Sequence, residues 1–248
     1  MARIWASEAV ADGGSAGGRV PPEVQRITGY LRMSAVSGIG FAVLFGAALV
    51  LLREAPGLGV PDSAYTAFYR DGGGGVLVTI GLYVVPFAGI AFLWQLAATR
   101  AVLSASARAH QSPPEIPRLL QLASGVLFVA MLFAGSAAVG AIALLGSFSV
   151  DPLPSPEVAR ALAATGYGLL FVFGVRAAGM YMITTTTLAR AVGLFPRWVA
   201  IVGYLAAAFL LVSTTFHPAI LLVFPIWTVL VSVVLLVRAG SPNKPPSH

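Results

Sequence analysis

The sequence of 248 residues has no cysteine, one lysine, three histidines and nine acidic residues, and each shortage removes a class of chemistry. Without cysteine there is no disulfide, no thiol nucleophile and no thiolate metal site. His110, His217 and His248 stand at no helical ligand spacing, so no metal centre is expected. Charge is scarce, at 10% of residues against 58% hydrophobic, and the mean hydropathy is +0.88. A water-soluble globule of this size would have too little charge to cover itself, so lipid is the expected solvent. The net charge of +6 does not indicate nucleic acid, because the basic residues stand one or two per connecting segment and form no stripe.

What the chain does have is six long apolar stretches: Met33–Leu52, Val76–Ala98, Leu119–Val150, Ala161–Ala189, Trp198–Phe216 and Ala219–Val237. Each reaches the length of about 20 residues that a helix needs to cross a core of roughly 30 Å. The expected fold is all-α: a polytopic transmembrane bundle of six spans at about 31–53, 75–99, 116–147, 157–190, 196–216 and 219–238, forming one domain over 21–240. The ends, 1–20 and 241–248, are rich in small and polar residues, show no cleaved signal segment and are expected to be disordered.

Orientation follows from arginine. One side receives Arg3, Arg19, Arg26, Arg32, Arg100, Arg108, Arg118, Arg190, Arg197, Arg238 and Lys244, the other Arg53, Arg70 and Arg160. The positive-inside rule then puts both termini in the cytoplasm, and the cytoplasmic membrane is the expected location. A pattern Pro-Glu-Val/Ile-x-Arg recurs at Pro22–Arg26, Pro114–Arg118 and Pro156–Arg160, ahead of spans one, three and four. Proline suits a first helical turn and glutamate its positive end, with Ser112 and Ser155 as N-caps. The longest outer loop carries a short interfacial helix at Asp62–Arg70, whose Tyr65, Phe68 and Tyr69 are expected at headgroup level. Gly72–Gly75 reads as a flexible hinge. Phe216-His217-Pro218 joins spans five and six as antiparallel neighbours.

Small residues at four-residue spacing let helix backbones approach in lipid, where hydrophobicity gives no drive to associate. Gly38, Ala42 and Gly46 in span one, and Ala130, Ala134 and Ala138 in span three, are therefore expected at buried helix contacts. Pro86 and Pro225 each remove a backbone hydrogen bond in mid-span and are expected to bend spans two and six.

Arg176 is the one charge inside any span. At about 1.5 Å per residue it lies roughly 24 Å from Arg160 and roughly 21 Å from Arg190. A charge held in hydrocarbon costs at least about 2.5 kcal/mol, so it must face the bundle interior or water. No span offers a carboxylate, which leaves carbonyls freed by the prolines, Thr184–Thr187, Tyr83, Gln95, a carboxylate folding in from Glu54, Asp71 or Glu157, or a bound anion. Three readings of Arg176 stand: an interhelical hydrogen-bond clamp, a site for an anion or lipid headgroup, or a lipid-facing position if the span bounds differ from those above. The residues picked for a ligand site are Arg176, Tyr83, Gln95, Thr184 and Trp227, with Pro86 and Pro225 as kinks.

The segment Gly193-Leu-Phe-Pro-Arg-Trp198-Val-Ala-Ile-Val-Gly-Tyr204, followed by Leu222-Val-Phe-Pro-Ile-Trp227, resembles a broad set of uncharacterised bacterial six-helix membrane proteins, a family defined by a domain of unknown function. The resemblance covers about 50 residues and implies the six-span architecture without an activity. Two functions are expected: a bundle that binds or helps move an anionic or amphipathic small molecule or lipid, or a structural or accessory subunit acting through helix contacts with a membrane protein partner or a second copy. Paired carboxylates, a Ser/His constellation, a metal cluster and a nucleotide motif are all missing from the sequence, so neither an enzyme nor a cofactor is expected.

Overall fold

A computed structural model of the chain describes residues 22–70, 73–108, 115–148 and 153–240. These residues are helical almost throughout, and among them there is no strand. Helix α1 spans Pro22–Leu52, α2 Asp62–Arg70, α3 Gly73–Arg108, α4 Glu115–Phe148 and α5 Pro156–Tyr167. A π-helical segment, Gly168–Gly174, joins α5 to α6 (Val175–Ala191), and α7 (Arg197–Val212) and α8 (Ile220–Gly240) follow. Both expected tails, Gly72 and the N-cap Ser112 lie outside the described residues.

Five rods are long and apolar enough to cross a membrane: Val24–Leu52, Gly75–Ser106, Glu115–Phe148, Pro156–Ala191 and Ile220–Gly240. The sixth apolar helix, α7, has 16 residues, about 24 Å of rise, and falls short of a core of roughly 30 Å. The sequence predicts this span as far as Phe216. It stops at Val212 because Ser213 turns extended, with φ −62° and ψ 132°, ahead of two β-branched threonines and Pro218, which disfavour helix.

Helix starts follow the proline pattern: α1 begins at Pro22, α5 at Pro156 with Ser155 as N-cap, and α4 at Glu115. The Ser155 hydroxyl makes no capping bond. Gly73–Gly75, expected to hinge, are instead the first turn of α3. A helix of this length carries the glycine penalty of about 1 kcal/mol each.

Two arginines tie neighbouring helices together at one end of the bundle. Arg100, about two turns before the end of α3, donates to the carbonyl of Arg118 in the first turn of α4 (2.6 Å), and Arg238 of α8 to the carbonyl of Gly193 (3.0 Å) in the α6–α7 turn. Gly193 adopts φ +68° there, a conformation that favours glycine. This end of the bundle, which also holds Arg26, Arg32, Arg190 and Arg197, is its arginine-rich end.

α1 packs chiefly on α3 and α8, α4 on α3 and α6, and α7 on α6. At the centre Phe41, Phe92, Phe128, Tyr181, Phe224 and Trp227 interlock, with ring centroids 4.7–6.2 Å apart. Tilted and edge-on rings supply the close contact that the hydrophobic effect cannot supply in lipid.

The small-residue stripes divide differently from expectation. Gly38 is buried, and a Cβ there would meet Gln95 Nε2 at 2.6 Å. Ala42, Gly46 and Ala138 are only half-buried, and Ala130 and Ala134 face outward. Spacing names the residues that share a face, but here the large residues Phe128, Val129 and Leu132 took the inward side of α4. α3 and α8 run as continuous helices through Pro86 and Pro225, and the cavities nearest them, lined by Val85 and Ala88 or by Phe224, measure about 30 and 20 Å³ and are lined almost wholly by apolar side chains. The prolines open no polar chamber there.

The helices do not all end level. Phe45, Leu132, Leu170, Leu210 and Ile220 surround one small cavity, which places the α7–α8 connection at their height. Beyond it α1 runs on to Leu52, about 10 Å, α4 to Phe148, about 24 Å, and α5 back to Pro156, about 21 Å. The α7–α8 hairpin therefore forms a shelf below the arginine-poor end.

Candidate functional site

Arg176 sits under that shelf. In the π segment the backbone winds wider than in an α-helix, and the Val175 N–H reaches back to the Leu170 carbonyl, five residues away. The next carbonyls are taken by the side chain: Arg176 Nη1 donates to Phe171 O (2.9 Å) and Val172 O (3.1 Å). The reach backward follows the tilt of Cα–Cβ bonds toward a helix N-terminus. Nη2 donates to Ser213 O (3.0 Å), the cap of α7. The guanidinium thus meets the negative end of the α7 dipole, the polarity that suits a cation. Of the protein groups expected from sequence to compensate it, none among the described residues is its partner, and Asp71 lies outside them. Among the described residues no proline-freed carbonyl, threonine, Tyr83, Gln95 or carboxylate bonds to it, and the one ion pair is Arg160 with Asp62.

The other four sequence candidates do not join it. Tyr83 is exposed on α3, 58% of its surface free. Thr184 Oγ1 bonds back to Met180 O (2.9 Å) and Tyr181 O (3.1 Å). Gln95 and Trp227 belong to a buried polar seam between the aromatic centre and the arginine-rich end. There Ser34 bonds Thr99 (2.8 Å) and Gln121 Nε2 donates to Thr185 (2.9 Å), tying α1 to α3 and α4 to α6. Five further buried polar atoms lack a partner: Gln95 Oε1, Thr186 Oγ1, Trp227 Nε1, Thr228 Oγ1 and Ser232 Oγ. Four of these residues crowd around two glycines: Gly38 faces Ser232 and Gln95, and Gly203 faces Thr186 and Trp227. Arg176, Tyr83, Gln95, Thr184 and Trp227 line neither the two small axial cavities nor the two larger ones toward the arginine-poor end.

Ligand-sized space lies at the opposite end, where sequence did not place it. α2 is clasped onto α4 and α5. Tyr65, expected in the headgroups, is instead 2% exposed against Ile142 and Ala159. Its hydroxyl donates to Pro56 O (3.2 Å) and Gly57 O (3.3 Å). Arg160 lies over its ring, 5.1 Å from the centroid, pairs with Asp62 and donates to Val60 O (2.8 Å). Between the clasped helix and the start of α5 is a cavity of about 390 Å³, lined among others by Tyr65, Thr66, Tyr69, Arg70, Ser155 and Ala159. Burial pushes the Tyr69 phenol up to about 12 and raises that of Tyr65, where Arg160 acts in the opposite sense. Both are neutral hydroxyls in the physiological range. The cavity presents one cationic group, hydroxyls and aromatic edges over an apolar floor.

The fold and its apolar rods define a multi-pass helical membrane protein. No protein-family model matches the chain, nor does any curated protein or solved structure.

Proposed function

We propose that the chain crosses the cytoplasmic membrane of a bacterium six times, with both termini on the arginine-rich cytoplasmic side, and binds or helps move an anionic or amphipathic small molecule at its arginine-poor end. The observation that carries this is the cavity under α2: about 390 Å³ falls within the roughly 300–1,000 Å³ of small-molecule sites. Arg70 suits an anionic head and Ile142, Leu153 and Ala159 suit an apolar tail. The interior favours a binder over a conduit, since the cavities along its axis hold about 20 and 30 Å³, room for about one water. The test is titration of the protein in lipid nanodiscs with dodecyl phosphate and with decanoate. Saturable binding at least about tenfold weaker in Arg70→Ala is expected from one lost charge-assisted contact; equal affinity in both proteins would sink the reading.

A second reading, an accessory subunit working through helix contacts, has one observation in its favour. Ala130 and Ala134 face outward on α4, and Ala137 and Ala141 line an open groove with Leu144, Leu145 and Phe148 on the same helix. Close backbone approach by a second helix needs such a face.

A further inference from the structure

The shelf puts irregular backbone at a depth where lipid does not accept it. Between Val212 and Ile220 the chain is not helical, and Thr214, Thr215, Phe216 and His217 are exposed. Non-helical backbone is tolerated at membrane depth only where protein buries it or water reaches it. Protein does not bury these residues, so the polar surface of the bilayer must descend to them, about 10 Å below the end of α1. Arg176 is fixed at this point by its bond to Ser213, and its side chain is half-buried. Three bonds to carbonyls leave two of its five N–H groups uncommitted. Carbonyls orient the guanidinium but do not neutralise it, and no carboxylate among the described residues lies within 4.0 Å.

We propose that this shelf binds a phosphodiester group, held by the free edge of the Arg176 guanidinium and by the hydroxyls of the Thr214–Thr215 loop. Phosphate fits the planar fork of arginine, and every phospholipid carries one at the surface that the shelf draws down. His217 adds a donor of fixed tautomer: its Nδ1 accepts from the Ala219 N–H (3.2 Å), which leaves the proton on Nε2. Phe216 packs on Phe171, 5.8 Å between ring centroids, and steadies the loop against the π segment that carries the arginine's other partners. The bound group is the phosphodiester of a membrane lipid or a free phosphate. The inference rests on all six helices crossing the bilayer and does not involve the cavity under α2.

The absence of cysteine makes the test direct. Thr215→Cys and, as an aqueous reference on α2, Ser63→Cys are placed singly in the full chain in phosphatidylcholine–phosphatidylglycerol vesicles and treated with a membrane-impermeant maleimide. Labelling of both from the same side, at rates within about tenfold, is expected if water reaches the shelf. Silence at Thr215→Cys beside a reactive Ser63→Cys overturns the proposal, and labelling from opposite sides overturns the six-span threading with it. Native mass spectrometry of the detergent-purified protein then counts retained phospholipid. Retention is expected to fall at least about fivefold in Arg176→Gln and, should that variant not fold, in Thr214→Glu, which sets a carboxylate on the exposed loop. Retention equal to wild type in Thr214→Glu, or in a folded Arg176→Gln, overturns the site. Displacement of the lipid by millimolar inorganic phosphate marks the site as one for free phosphate; persistence of the lipid in phosphate buffer marks it as a headgroup site.

Discussion

The two ends of the bundle solve the same problem, holding helices together without a hydrophobic drive, by different means. Near the arginine-rich end the contact is made by side chains: hydroxyls and amides of α1, α3, α4, α6 and α8 meet in a buried seam. Toward the arginine-poor end backbone meets backbone. α4 and α5 approach so closely at Gly135 and Gly166 that a Cβ on Gly166 would lie 2.6 Å from Gly135 O and 3.0 Å from Val139 N. Side-chain contacts can adjust, whereas backbone contacts cannot. The unyielding pair of helices is also the one that carries the clasped α2, the cavity and the charged surface, in keeping with binding groups set on loops over a rigid scaffold.

The sharpest test of this contrast compares two glycines. Gly166→Ala must push the α4 and α5 backbones apart and is expected to destabilise by about 1–3 kcal/mol, the usual cost of overpacking. Gly38→Ala meets the far ends of Gln95 and Ser232 and should cost clearly less. Thermal unfolding in one detergent checks both, and the reverse order would break the comparison. A smaller effect concerns pH. Tyr69 and Tyr65 have phenols raised in the folded protein, the former to about 12 from 10.0. Their contribution is fully present below the unfolded value and is lost as pH rises from about 10 through about 12. α2 should therefore loosen in that interval, seen as faster proteolysis in the Gly57–Gly59 connection, with a weaker pH response in Tyr69→Phe; a flat profile in wild type would count against the clasp. The smallest effect is expected at Ala134→Leu. It lies on the outward face, so stability should stay within about 0.5 kcal/mol, while any dimer seen by crosslinking in membranes should decline if α4 is a contact face.

Much of the rod architecture was legible from apolar run length, and α2 forms over the Asp62–Arg70 segment predicted. What escaped has a physical reason in each case. Span five ended early because a Ser-Thr-Thr run leaves the helix although its hydropathy does not fall sharply enough to mark the point. The π segment, Gly168-Leu-Leu-Phe-Val-Phe-Gly174, is bracketed by glycines but otherwise reads as ordinary apolar helix. Arg176 was recognisable as an anomaly, yet its partners are carbonyls, which every residue has and no sequence displays. Tyr65 reads as a headgroup residue because an amphipathic ring at a membrane boundary usually lies there, and a clasp between segments 98 residues apart leaves no local trace.

The π segment has one more consequence. A turn that accommodates an extra residue offsets the angular phase of everything beyond it by about 100°, the arc of one residue in an α-helix. Deleting a single residue between Gly168 and Gly174 would return the rod to plain α-helical winding and rotate the face bearing Ala159 and Arg160 away from Tyr65, while α6 kept its seat on α4 and α7. That one residue acts as a gear tooth, setting the alignment between the α2 cap and the body of the bundle.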